Sequence, residues 1–200
     1  MVITVSREFG SGGRELARRL ADELGYSYFD NELIQKTAQE RGLDESFVHH
    51  VAERGTTSFY STTIASRLSS GTMHGALVAG TLSRVLEEAA CEGDCVIVGR
   101  AADAILSHLR PLRIFVYADK QSKVERCLSR RKEDEAISAK EIEKRMKAID
   151  KGREDFHALF SDRKWGDKAC YDLCVNTSGK RIGSLVPALA AYAKAWGGGA

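Results

Sequence analysis

Val2-Ile3-Thr4-Val5-Ser6-Arg7-Glu8-Phe9-Gly10-Ser11-Gly12-Gly13-Arg14-Glu15-Leu16 opens the chain with an apolar strand that runs into a glycine loop and on into a helix. That is the layout of a phosphate-binding loop. Glycines let the backbone curl until several N–H groups face one anion, and the N-terminus of the following helix adds its dipole. Measured against G-x-x-x-x-G-K-[ST], the lysine and the hydroxyl are missing. Gly13 and Arg14 stand near the lysine's place, and Glu15 stands near the hydroxyl's. The loop points to a nucleotide phosphate and leaves open whether chemistry follows.

Outward from the loop, strands and helices alternate. Leu16, Ala17, Leu20, Ala21 and Leu24 recur at helical spacing, so a helix is predicted over about 13–24, stopped by Gly25. Strands are predicted at about 2–6, 26–29, 95–98, 112–117 and 173–175. Cys95-Val96-Ile97-Val98 is a continuous apolar run, as a strand buried on both faces of a parallel sheet requires. Further helices are predicted at about 31–41, 44–53, 75–92, 101–109, 120–133, 138–160 and 182–196. The capping box Ser138-Ala139-Lys140-Glu141 opens the one at 138. Residues 55–74, rich in Gly, Ser and Thr, read as a mobile stretch, and 197–200 as a frayed tail. The alternation predicts an α/β fold with a parallel sheet and right-handed crossovers.

Two hundred residues suffice for one domain with a real core. A net charge of +2 excludes a whole-chain nucleic-acid footprint, so any basic site must be local. No apolar run approaches membrane-spanning length, and the N-terminus lacks a signal-peptide pattern. Five cysteines cannot all pair internally, which suits reduced thiols in a cytoplasm. They include two similar pairs, Cys91/Cys95 and Cys170/Cys174, readable as metal ligands or as small buried residues at strand edges.

In an open parallel sheet, ligands bind beyond the carboxyl ends of the strands. The charged residues that follow each strand are therefore the candidates: Arg14 in the glycine loop, Asp30, then Arg100 and Asp103, then Asp119. Arg100 is either a clamp on a phosphate, whose shape a guanidinium fork suits, or a surface arginine paired with Asp103. On the helix at 138–160, Arg153 falls on the apolar stripe of Ile142, Met146, Ile149, Phe156 and Phe160, with Asp150 and Arg145 flanking the same face. An inward arginine is costly unless it is paired or meets an anion. Arg153 and Asp150 are thus either an internal staple or contacts to a substrate phosphate and a sugar hydroxyl. Arg130-Arg131-Lys132 reads as a lid over a triphosphate or as a solvated face. The five histidines show no ligand spacing and read as surface or helix-packing residues.

At these residues the chain resembles the cytidylate kinase-like family of P-loop proteins, a branch beside the true cytidylate kinases, over roughly 1–195. The opening Ile3 to Glu15 looks like that branch's own signature. Tyr28-Phe29-Asp30 matches its second strand end, Val96 to Asp103 resembles the cytidylate kinase Gly-Arg-Asp segment, and Asp150-Lys151-Gly152-Arg153 resembles its Asp-x-x-Arg. The resemblance implies a three-layer α/β/α fold of the P-loop NTPase kind around a parallel five-stranded sheet, in one domain over 1–196, with a helical nucleoside-monophosphate-binding insertion at about 31–75 and a lid-like region at about 130–155. It implies ATP with Mg²⁺ as donor and CMP or dCMP as acceptor; the helices at about 44–53 and 75–92 could pack in a homodimer or serve the core of a monomer. Gly10, Ser11, Gly12, Gly13, Arg14 and Glu15, with Arg130 and Arg131, would meet the donor. Asp30, Arg100, Asp103, Arg145, Asp150 and Arg153 would meet the acceptor, and Arg14, Arg100 and Arg153 would serve the transfer. The departure is in the loop: the family's lysine becomes Gly13, and its Mg²⁺-holding threonine becomes Glu15, which could hold Mg²⁺ itself or repel the phosphates.

Three functions fit the residues: a nucleoside monophosphate kinase, a nucleotide-binding regulatory module with little turnover, and a kinase of a small non-nucleotide acceptor.

Overall fold

Val2–Arg7 is β1, the middle strand of a parallel sheet, with Ile3 to Ser6 buried on both of its faces. The computed structural model of the chain describes residues 1–30, 73–130 and 138–198, the stretch 73–81 by its backbone. After β1 come α1 (Gly13–Leu24) and β2 (Ser27–Phe29), then α2 (Met73–Cys91), β3 (Cys95–Val98) and α3 (Ala102–Ile105). β4 (Leu112–Tyr117), α4 (Lys120–Ser129), α5 (Ala139–His157), β5 (Leu173–Asn176) and α6 (Ile182–Gly197) complete the order.

The described strands form one five-stranded sheet in the order β2-β3-β1-β4-β5, every pair parallel. β1 runs in register with β3 from Val2↔Cys95 to Val5↔Val98, and with β4 from Ile3↔Leu112 to Arg7↔Val116. Residues just past the ends of β1 and β3 therefore become neighbours although about ninety positions separate them, and the site is built there.

Side-chain alternation along the strands divides the core into two layers. Ile3, Val5, Val96, Val98 and Ile114 pack with Leu16 and Leu20 of α1 and with Ile182 and Leu189 of α6. Cys95 and Ile97 face the other way, onto Leu82, Val85 and Leu86 of α2, Leu106, and Phe156 of α5. Each such fully buried aliphatic side chain contributes about 1.5–3 kcal/mol. Helices on both faces of the parallel sheet make the three-layer α/β/α fold that the resemblance implies.

Three expectations shift at their edges. The helix expected over 101–109 divides into α3 and a 3₁₀ turn at Ser107–Leu109, because Arg100 and Ala101 are left-handed and delay its start. α4 stops at Ser129 and α5 at His157, while the capping box at Ser138 and Glu141 forms with both of its hydrogen bonds. Asp119 caps α4 by accepting from the Ser122 N–H at 2.7 Å, so its position after a strand serves the helix. The helices expected at 31–41 and 44–53, nearly all of the 55–74 stretch, and Arg131 with Lys132 lie outside the described residues. No helix of the described residues is long and apolar enough to cross a membrane.

Candidate functional site

A small open cleft lies past the ends of β1 and β3. Three arginines from three separate segments line it: Arg7 ends β1, Arg100 follows β3, and Arg153 comes from α5. Ser6, Phe156, His157 and Trp165 complete its polar and aromatic wall.

Arg100 reaches the cleft through a bend. Gly99, Arg100 and Ala101 have φ of 74°, 60° and 52°, three left-handed residues in succession. For the two non-glycine residues that conformation costs about 1–2 kcal/mol each. The bend is pinned at its start by the Gly99 N–H donating to the Val5 carbonyl at 3.1 Å. Arg100 is only 5% exposed, which rules out the surface-arginine alternative.

Arg153 does what an inward arginine must. Its Nη1 lies 3.0 Å from Asp150 Oδ1 and donates to the Arg7 carbonyl at 2.9 Å. Asp150 Oδ1 also accepts the Phe9 N–H at 2.7 Å. The pair thus staples α5 to the end of β1 and to the glycine loop, while Arg153 still faces the cleft. Burial pushes the Asp150 carboxyl above its usual range, and the Arg153 charge and the Phe9 N–H pull it back part of the way.

Asp103 is buried and takes two partners: His157 Nε2 at 2.9 Å and the Ser6 hydroxyl, which donates at 3.4 Å. His157, 3% exposed, is therefore part of the cleft wall, more than the helix packing its sequence suggested. Its Nδ1 has no hydrogen-bond partner among the described residues.

The glycine loop is held from behind by its carbonyls. Arg126 Nη1 donates to the Gly10 carbonyl at 2.7 Å, and the Thr177 hydroxyl donates to the Ser11 carbonyl at 2.6 Å. A planar trans peptide then turns the Gly12 N–H the opposite way. Gly12 itself is left-handed, with φ of 82°, and α1 starts without a side-chain cap. Lys123 sits 2.9 Å from Glu8 at the loop's start.

Some expected groups are not gathered into the cleft. Arg14, half exposed, is bound to buried Asp30 through Nε and Nη2 at 2.9 and 2.7 Å, with the Tyr28 hydroxyl donating to the same oxygen at 3.3 Å. The expected donor-side arginine and acceptor-side carboxylate thus meet each other. Glu15 is engaged by Arg19 at 3.0 Å through one oxygen and by Arg130 through the other. Arg145 is exposed on α5 and does not line the cleft. Among the described residues no group of three or more His, Cys, Asp or Glu could hold a metal ion. With Glu15 taken by two arginines, these side chains do not fit a protein-held Mg²⁺, whereas the loop and the three arginines fit a phosphate.

Sequence reasoning missed Arg7, His157, Trp165, Lys123 and Arg126. Arg7 had a signal: it is the last residue of a strand whose following loop was singled out. The others had none, because only packing brings them to the loop.

A sequence model described as the cytidylate kinase-like family matches residues 2–179. A protein from Methanopyrus kandleri named cytidylate kinase is 26% identical over 188 residues, which are 89% of this chain and 85% of that protein. The crystal structure of an uncharacterized protein from Eubacterium ventriosum superposes with a TM-score of 0.70 at 24% identity, covering 96% of this chain and 97% of that one. Shikimate kinase from Acinetobacter baumannii, solved with shikimate, has a TM-score of 0.52 at 14% identity, covering 97% and 93%. The two structures show the fold.

Proposed function

The chain belongs to the cytidylate kinase-like family, and on that premise we propose that it transfers a phosphoryl group from ATP to a nucleoside monophosphate, CMP or dCMP. The observation that carries this is the convergence of Arg7, Arg100 and Arg153 on one cleft beside the glycine loop. Phosphoryl transfer asks little covalent chemistry of a protein. It asks for alignment of donor and acceptor, and for positive charge where the transferring group gathers negative charge.

In this scheme the amides of Gly10, Gly12 and Gly13 hold donor phosphates, while the Ser11 N–H closes the loop onto the Glu8 carbonyl at 3.3 Å. Arg100 and Arg153 hold the acceptor's phosphate. A phosphate oxygen of the acceptor attacks the γ-phosphorus, the bond to the bridging oxygen breaks, and ADP leaves. That oxygen carries no proton at neutral pH, so the cleft needs no general base. Mg²⁺ travels with ATP, bound to phosphate oxygens and water, and no side chain is assigned to it. Burial of Arg100 and the tie from Arg153 to Asp150 pre-orient both guanidinium groups, which lowers the reorganisation needed at transfer. Free cysteines at 91, 95, 127, 170 and 174 support a reducing compartment, the cytoplasm.

A second reading, a nucleotide-binding module with little turnover, is favoured by one observation. Arg14 and Glu15, at the positions that follow the missing lysine, are tied to Asp30, Arg19 and Arg130. The two are separated by measuring ADP formation from Mg-ATP against a panel of ribo- and deoxyribonucleoside monophosphates, with Arg153→Ala as control. Turnover with CMP or dCMP that the control loses supports the kinase. Binding of ATP without ADP under any acceptor supports the module, and turnover only with small acceptors other than nucleotides, such as a phosphorylated sugar, moves the acceptor outside the nucleotides.

A further inference from the structure

The lysine missing from the glycine loop has a spatial counterpart. In G-x-x-x-x-G-K the first glycine falls at position 7 and the lysine at position 13. This chain reverses the two: an arginine stands at 7 and a glycine at 13. In the fold the two positions touch. A Cβ built on Gly13 would lie 2.5 Å from Arg7 Cβ and 3.0 Å from Arg7 Cγ. Real Cβ atoms do not approach that closely, so the Arg7 stem fills the space in which a side chain at position 13 would begin. The guanidinium end has its own berth, since a Cβ on Gly99 would collide with Arg7 Nη1. Arg7 thus runs from the start of α1, across bare backbone at Gly13 and Gly99, into the cleft with Arg100 and Arg153.

We propose that Arg7 is the phosphate-binding cation of the glycine loop, moved from the first turn of the helix to the end of the strand, and that position 13 is glycine to make room for it. The assignment deepens the kinase reading and rests on a triphosphate donor at this loop. In the proposed scheme Arg100 and Arg153 hold the acceptor's phosphate, and Arg7 lines the same cleft between them and the glycine loop, where its planar fork matches a donor phosphate. A separate observation points to a ligand in the same place: His157 lines the cleft, is 3% exposed, and leaves Nδ1 without a partner among the described residues. Arginine at position 7 offers two donors where a lysine offers a point charge, so the relocated site grips one phosphate in a set orientation.

The test is equilibrium binding of Mg-ATP and of inorganic tripolyphosphate to five proteins: the wild type, Arg7→Gln, Arg7→Gly, Gly13→Lys, and the exchange Arg7→Gly with Gly13→Lys. Circular dichroism reports the fold of each. Arg7→Gln is expected to weaken both ligands by about tenfold or more. Gly13→Lys alone is expected to melt lower than the wild type, because two stems then compete for one space. The exchange is expected to bind within about threefold of the wild type, since it restores one cation and one glycine. Binding by Arg7→Gln within about twofold of the wild type overturns the assignment, as does an exchange variant that binds no better than Arg7→Gly. Should Arg7→Gln fail to fold, the exchange decides. A wild type that binds both ligands but forms no ADP overturns the kinase reading and leaves the assignment to the binding series. A wild type that binds neither ligand overturns both.

Discussion

Arg153 Nη1 donates to the main-chain oxygen of Arg7 at 2.9 Å, across 146 positions of sequence. One guanidinium thereby fixes the last peptide of β1, holds Asp150, and presents its remaining face to the cleft.

That double duty sets the first expectation. Arg153→Ala should stay folded with a stability loss of about 1–2 kcal/mol, and lower kcat/KM for phosphoryl transfer at least tenfold, about 1.4 kcal/mol in the barrier. Arg153→Lys should keep the charge but not the fork, and fall between. Steady-state kinetics with thermal melts separate the two effects. Full activity in both Arg153→Ala and Arg100→Ala would remove these residues from the acceptor site.

Gly12 faces a different constraint. A Cβ there would lie 2.5 Å from Ile182 Cδ1, and φ is 82°. Gly12→Ala should cost about 2–3 kcal/mol, clash and backbone strain together. Gly25→Ala, also left-handed but in open space, should cost about 1 kcal/mol. Urea midpoints for the two variants give the comparison; equal losses would mean that Ile182 simply moves aside.

The pair Asp103–His157 should be a stability element as well as a cleft wall. Asp103→Ala strands His157 Nε2 and the Ser6 hydroxyl in a buried place, at about 2–3 kcal/mol. Asp103→Asn keeps an acceptor for either donor and should cost less. Chemical denaturation at neutral pH measures both, and an Asn variant as weak as the Ala variant would contradict the hydrogen-bond account.

Asp172 supplies a pH signature away from the site. Burial pushes its carboxyl up, but hydrogen bonds from the Arg113 side chain and N–H, together with the Arg113 charge, more than offset this and hold it below its usual range. A carboxyl depressed on folding stabilises the folded state above its unfolded value, near 4, and that contribution is lost as pH falls through the folded value. Asp172→Asn should therefore lie about 1–2 kcal/mol below wild type at pH 7, with the gap closing as the pH drops below about 4. A gap that stays constant down to pH 2.5 would show that the pair acts through packing alone.

The fold was legible where the signal is local. α1 and the strands β3 and β4 fall where apolar spacing and a stopping glycine put them, because periodicity and the αL preference of Gly25 act within a few residues. The site was legible in part. The rule that ligands gather past strand ends led to Arg100 and Asp103, and the apolar stripe of α5 exposed Arg153 as an oddity. Arg7 was passed over because, at the end of an apolar strand, an arginine looks like the first residue to reach solvent. His157 gave no signal because its partner is 54 positions away.

The sequence by itself determined which segments are strands and helices, where the glycine loop stands, and that its lysine is absent, all consequences of short-range chemistry. Which charges meet was decided only by the tertiary structure. Asp30 could have faced a substrate, and Arg14 a phosphate; folding joined them at 2.7 Å and left the cleft to Arg7, Arg100 and Arg153. The reason is the sheet order. Placing β1 between β3 and β4 puts Ser6 and Arg7 beside Gly99 and Arg100, and α5 then closes over both. Strand order is a long-range outcome of burying the two apolar layers, which no window of neighbouring residues contains.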